Sequence, residues 1–425
     1  MKYFLLSLLL SISFSNLNAQ WVQQTSGTTQ DLYSVSGTVE EAWICGNNGT
    51  ILRSTNTGVT WVNAGSSLIG TLPLYNICSF GLGRAIVTGS NGTGSYVYKT
   101  INGGVNWTQV FFQAGGFINA IDIKEYPVST TGYMQGDPVG GRWSLWKTTD
   151  QGSTWDSSGM YLPQDGSEAG WNNSLFYSGE GIFFGTNNGR IYYSNNGTNW
   201  TAQTTPEQNS YTVWINNIGD RGLSGGSQLM RTTTNGTNWF IQSAPGTGNI
   251  GAAIGTWVAF WFTRQGPDIY MSTDLGESWI TDISVSGVQF FDMSIHLDAP
   301  IDNSSGLGLF DLWAVGSGGT IYYRDFAVRI NNITTHTPER YSLSQNYPNP
   351  FNPTTKIKFD IVKSDFVSLK VFNSVGQEVS SLAEQNLQPG TYEVSFDGNG
   401  LSSGIYFYTL STGDFKETKR MVLVK

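Results

Sequence analysis

The sequence has 425 residues, of which 52 are glycine, 15 are tryptophan and only 12% are charged, a composition that suits many short strands and tight turns better than helices. Its formal net charge of −9 argues against nucleic acid or an anionic membrane as partner, because neither attracts an acidic surface. An all-β chain with room for one large body and a small one is expected.

The first stretch, "MKYFLLSLLLSISFSNLNAQ", begins with Lys2, runs apolar from Tyr3 to Phe14 and places the small Ala19 before Gln20. This is the pattern of a secretory signal peptide over residues 1–19, and its apolar run is too short to cross a membrane as a helix. No later apolar run approaches the length of a span, so no transmembrane segment is expected. Export leaves two readings for Cys45 and Cys78, the only cysteines: one disulfide, or two buried small side chains.

From residue 54 a turn recurs: "STNTGVTW", "TINGGVNW", "TTDQGSTW", "SNNGTNW", "TTTNGTNW" and "STDLGESW", ending at Trp61, Trp107, Trp155, Trp200, Trp239 and Trp279. A strand-like stretch such as "GTILRS" or "GRIYYS" precedes most copies. Trp21 has the same downstream context as Trp61, and "GTIYYRDF" at 319–326 has the strand but neither turn nor tryptophan. Counted from Trp21, seven units follow at spacings of 40, 46, 48, 45, 39 and 40 residues. Seven repeats of this length, each reading as four short strands, predict a seven-bladed β-propeller over residues 20–327. Pairing the segment at Trp21 with the blade ending at Phe326 would close the ring and remove an open edge.

The turn explains itself physically. A Ser or Thr ends one strand, and Asn or Asp (Thr234 in one copy) can fold its side chain onto nearby amides. Gly58, Gly104, Gly152, Gly197, Gly236 and Gly276 supply the positive φ, and the tryptophan returns the chain to the interior. A catalytic residue is needed once, whereas a hairpin is needed in every blade, so these are structural repeat residues. The pattern resembles the Asp-box, or BNR repeat, of sialidase-like propellers. "CGNNGTILRSTNTGVTW" and "GDPVGGRWSLWKTTDQGSTW" are similar to the propellers of photosystem II assembly factor-like proteins. The likeness implies a propeller whose Asp-boxes lie on the rim, away from any ligand site.

After "AVRINNITTHTPER", with 328–340 expected as a linker, tryptophan disappears and a new strand series begins: "TKIKFDI", "FVSLKVFN", "TYEVSFDG", "GIYFYTL" and "KRMVLVK". Alternating Val367, Leu369 and Val371 mark strands of a small β-sandwich over 341–425. "YSLSQNYPNPFNPTT", "VFNSVGQEV", "LQPGTYEVSFDG", "LSSGIYFYTL" and "KETKRMVLVK" resemble the C-terminal sorting domain of type IX secretion substrates. That likeness implies the type IX machinery as partner of residues 341–425. It also implies passage across both membranes, and a cargo attached to the cell surface or released.

Sialidase chemistry needs an arginine cluster, a tyrosine–glutamate pair and an aspartate, and the family's Arg-Ile-Pro motif is absent. Arg53, Arg231, Lys99 and Lys147 share one repeat column and read as blade features. Another glycosidase would need two carboxylates about 5–10 Å apart across the scissile bond. Asp122, Asp137 and Glu168, with Asp165, are the candidates outside the repeated turns, and solvated loops are the alternative reading. Trp143, Trp171, Trp214 and Trp261 fall outside the repeat columns and are candidates for stacking on a sugar, against packing between blades. Two histidines, His296 and His336, and two cysteines leave no metal site to propose. No G-x-S-x-G elbow or phosphate loop is present, and no cofactor is expected. Two functions remain: a non-enzymatic module that binds an extracellular glycan or protein, or a glycoside hydrolase acting on extracellular polysaccharide.

Overall fold

The computed structural model describes residues 21–425 apart from 39–40, 125–129, 179–180, 217–220, 257–258, 298–309, 326–330, 335–337, 388 and 399–400. The expected signal peptide and His336 lie outside the described residues. The chain divides into two compact units, Trp21–Arg324 and Asp325–Lys425.

The first unit is a ring of seven antiparallel sheets among the described residues, six of four strands and one of three. Their innermost strands are Leu32–Thr38, Leu74–Ser79, Ile118–Ile123, Gly170–Tyr177, Val213–Asn216, Ile250–Gly255 and Phe290–Leu297. Each packs on the next, and the last packs on the first, which makes a seven-bladed propeller. The ring closes as the repeats imply. Val22–Gln24 adds to Ile321–Asp325 in register Val22↔Tyr323, so the N-terminal strand is the outer strand of the seventh blade. In the three-stranded third blade, isolated bridges Lys147↔Asp156 and Arg142↔Pro163 stand where a fourth strand would lie.

Each repeated turn is built as its chemistry demands. The hydroxyl of Ser54, Thr100, Thr148, Ser194, Thr232 or Ser272 accepts the glycine N–H at 2.7–3.1 Å, and the six glycines have φ between +77° and +90°. The tryptophans then join the blade to the one before. Trp107 Nε1 donates to Ala64 O at 2.8 Å, Trp61 to Gln24 at 2.9 Å, and Trp21 to Asp282 at 2.8 Å. Trp155 packs with Cys78, Ile86 and Val97 of the second blade. The turn and its tryptophan are therefore inter-blade cement.

Around the axis, side chains of one inner strand accept backbone N–H groups of the next. Asp292 accepts from Val35 at 3.0 Å and Ser294 from Gly37 at 3.1 Å. Ser36 accepts from Ser79 at 2.9 Å, Cys78 Sγ from Ile123 at 3.3 Å, and Asp122 from Tyr177 at 3.1 Å. These contacts satisfy donors that adjacent blades, which share no ladder, would leave unpaired. Cys45 and Cys78 form no disulfide and are buried in different core clusters, which fits the reading of two buried small side chains.

The second unit holds two four-stranded sheets. Thr354–Ile361 alternates exposed and buried residues, and Ile357, Phe359, Val367, Leu369, Val371, Tyr408 and Leu410 form a fully buried core of a β-sandwich. Asn331–Thr334, expected as linker, is instead an edge strand paired with Gly390–Asp397. Its partner is distant in sequence, which is why composition around the proline did not reveal it.

Candidate functional site

The register of the inner strands shifts near their starts, between Leu32 and Ser34, Leu74 and Asn76, Phe290 and Asp292, and over a wider interval between Gly170 and Leu175. A bulge leaves its extra residue out of the ladder and re-aims its side chain. The residues so placed are Tyr33, Tyr75, Phe291 and Trp171, and the first three meet. Ring centroids lie 5.5 Å apart for Tyr33 and Phe291, 5.6 Å for Tyr33 and Tyr75, and 4.8 Å for Tyr75 and Phe117. Trp171 and Tyr211 form a further pair at 4.5 Å. All six rings are half-buried. Because strands alternate in direction, the starts of the inner strands lie at the end opposite the glycine–tryptophan turns. The aromatic ring therefore faces away from the repeated hairpins.

The wide bulge of the fourth blade reaches across this ring. Asn172 Nδ2 donates to Tyr75 O at 3.4 Å and Asn173 Nδ2 to Tyr33 O at 3.3 Å, while Asn172 Oδ1 accepts from Asn76 at 3.1 Å. Asn173 has φ of +61°, a conformation that Asn tolerates better than most residues. Burial, with the charge of Asp31 second, pushes the Tyr33 phenol up, so it stays neutral at ordinary pH. The face combines aromatic rings with carboxamides.

Asp122 and Asp137 do not converge, and each candidate carboxylate has a structural partner. Asp122 is held by the Tyr177 N–H and by Lys124 at 3.1 Å. Asp137 accepts the Gly170 N–H at 2.9 Å; burial pushes its carboxyl up, and bonds from Gly170 and Asn119 oppose that. The sheet register pairs Ile118 with Gly136, beside Asp137, and places Asp122 four residues further along the inner strand. Four residues of strand span about 13 Å, beyond the roughly 10 Å that a carboxylate pair can serve. Glu168, expected in a solvated loop, is buried. It accepts from Tyr192 Oη at 2.9 Å and Trp143 Nε1 at 3.3 Å, and faces Arg190 Nε at 3.3 Å. Arg190 in turn pairs with Asp165 at 2.7 Å.

Of the four candidate tryptophans, the structure brings only Trp171 to the aromatic ring. Trp143 packs on Phe184 at 4.8 Å, Trp214 packs on Phe260 at 5.3 Å, and Trp261 donates to Asp282 at 3.2 Å. All three are core residues with no open face for a ligand. No group of three or more His, Cys, Asp or Glu able to hold a metal ion occurs among the described residues; burial, partly opposed by Asp311, lowers the His296 imidazole. Tyr33, Tyr75, Phe117, Tyr211 and Phe291 were not singled out from sequence. The available signal was an aromatic directly after a buried residue at the start of the first strand, in "LYSV", "LYNI" and "FFDM".

Residues 345–425 match the family described as the secretion system C-terminal sorting domain. The chain carries a type IX sorting tail. That tail engages the secretion machinery and directs export to the cell surface or the extracellular space. Among solved structures the chain is similar to YCF48 bound to D1 peptide, with a TM-score of 0.54 and 16% identity over 72% of this chain and 96% of that one. It is also similar to YCF48 from Cyanidioschyzon merolae, with a TM-score of 0.53 and 16% identity over 72% of this chain and 99% of that one. PorZ, an essential surface component of the type IX secretion system of Porphyromonas gingivalis, gives a TM-score of 0.51 at 12% identity and covers 93% of this chain and 60% of that one. These likenesses speak for the fold alone. A comparison with curated proteins finds no match. No helix among the described residues is long and apolar enough to cross a membrane.

Proposed function

We propose that the exported chain is a non-enzymatic recognition module that binds an extracellular glycan on the axial aromatic ring. The observation that supports this most is the juxtaposition of Phe291, Tyr33, Tyr75 and Phe117 from four successive blades, with Trp171 and Tyr211 beside the same axis. Half-buried aromatic faces set among a few polar groups are what sugar rings and other partly apolar ligands pack against. The engagement of Asp122, Asp137 and Glu168 with structural partners weighs against hydrolysis.

The test is a glycan panel presented to the full secreted chain, scoring both binding and release of reducing ends. Binding without turnover, weakened in Tyr33→Ala and Tyr75→Ala, is the expected result. Reducing ends that disappear in Asp122→Asn or Asp137→Asn would make the protein a hydrolase. Binding of a protein partner but of no glycan, lost in the same tyrosine variants, would keep the site and change its ligand.

A further inference from the structure

A second feature lies at the seam where the ring closes. Where the chain passes from the seventh blade to the first, whose outer strand Val62–Asn63 has only two residues, lies an open cavity of about 610 Å³. That volume falls within the roughly 300–1,000 Å³ of small-ligand sites. Its walls come from the link between those blades, the turn at Asn47–Gly49, and the loop that leaves Asn63.

The chemistry of the walls is uniform. Asn48, Thr50, Asn63, Ser66 and Ser67 supply amides and hydroxyls around Trp61, and no lining residue is charged. Trp61 spends its Nε1–H on Gln24, so the indole offers the cavity carbon. Without a cation the cavity has nothing to match a phosphate or carboxylate. Without a carboxylate it has nothing to match an amine. One aromatic wall facing neutral donors and acceptors matches a polyhydroxylated ring.

We infer that the closure seam holds a separate binding site for a neutral saccharide, with Trp61 as its apolar wall and Asn48 and Thr50 as its polar contacts. This site is distinct from the axial ring and does not depend on it.

The experiment titrates the full secreted chain with glucose, galactose, mannose and N-acetylglucosamine. The readout is the ¹H–¹⁵N signal of the Trp61 indole, assigned through Trp61→Phe. Thr50→Val keeps shape and removes a hydroxyl. Asn48→Gly removes an amide and suits the φ of +54° at that position. At least one sugar is expected to move the signal saturably, and each variant to bind it about tenfold more weakly, the worth of one hydrogen bond, with an unchanged thermal midpoint. No shift with any of the four sugars, or unaltered affinity in both variants, would overturn the site. Glucuronate binding as tightly as glucose would overturn the assignment of a neutral ligand. Tyr33→Ala is expected to leave this titration unchanged, so failure of the axial reading and failure of the seam site are told apart.

Discussion

Asp292 offers the sharpest test of how the ring is held. Its carboxylate accepts the Val35 N–H across the closing junction at 3.0 Å and the Met293 N–H at 2.9 Å, and burial pushes its pKa from 3.8 to about 7 despite those bonds. The folded chain therefore holds an extra proton between about pH 4 and pH 7. Stability from this group is fully present below that window and lost as pH rises through it. A shift of some three units corresponds to an upper limit of about 4 kcal/mol at 1.36 kcal/mol per unit. Partial exposure of the side chain and one weakened acceptor in the amide, at about 1 kcal/mol, lower the expected gain from Asp292→Asn to about 1–2 kcal/mol at pH 8. At pH 3.5 the carboxyl is neutral in the folded chain and mostly neutral in the unfolded one, so acid and amide are near equivalents and the gain should shrink towards zero. Thermal unfolding followed by near-ultraviolet circular dichroism at both pH values measures the difference. A variant no more stable than the parent at pH 8, or a gain that is equal at both pH values, would refute the reasoning.

Gly152→Ala puts a methyl at φ +78°, 2.8 Å from Ile86 Cδ1 of the preceding blade, whereas Gly140→Ala at φ +65° meets nothing within 4 Å. Chemical denaturation should show a loss of about 2–3 kcal/mol for the first and about 1 kcal/mol for the second; equal losses would mean that the turn does not pack between blades. Arg190→Ala strands the buried Glu168 carboxylate and should cost on the order of 3 kcal/mol, with most of that recovered by adding Glu168→Gln. The two buried cysteines, which share no disulfide, should resist modification in the native chain, react fully in denaturant, and leave the thermal midpoint indifferent to reductant.

Blade number, turn chemistry and ring closure were legible because each repeats at nearly constant spacing, and repetition averages out local ambiguity. Trp61 and Trp107 share one role because they share one column. The site was not legible for the converse reason. A bulge shifts Tyr33, Tyr75 and Phe291 out of the alternation that sequence patterns report, so their direction is set by tertiary pairing. Asp122 looked chemical because it stood outside the repeated turns. In the fold it stands where Ser36 and Cys78 stand in the preceding blades, accepting an N–H from the next inner strand. Asp122 and Asp137 were legible as unusual but not as separate, because strand register decides how far apart two carboxylates lie. For Trp143 and Trp261 the structure favours the packing reading over sugar stacking: both are buried, and each donates its indole N–H to an acid, Glu168 and Asp282 respectively.

The closing junction ties these observations together. Six of the seven blades draw their strands from one continuous run of sequence, but the seventh joins Val22–Gln24 to Ile321–Asp325, a pairing of very long sequence separation. Such a pairing is entropically the costliest in the ring, since the loop it closes is nearly the whole unit. The contacts gathered there match that demand. Asp292 and Ser294 stitch the seventh inner strand to the first. Trp21, Trp261 and Arg324 all converge on Asp282. The outer strand of the first blade is short, and the seam cavity lies beside it. The junction of longest sequence separation is thus fastened at every layer, its rim included, where Trp61 Nε1 donates to Gln24 and Gln24 Nε2 donates to Thr57 O.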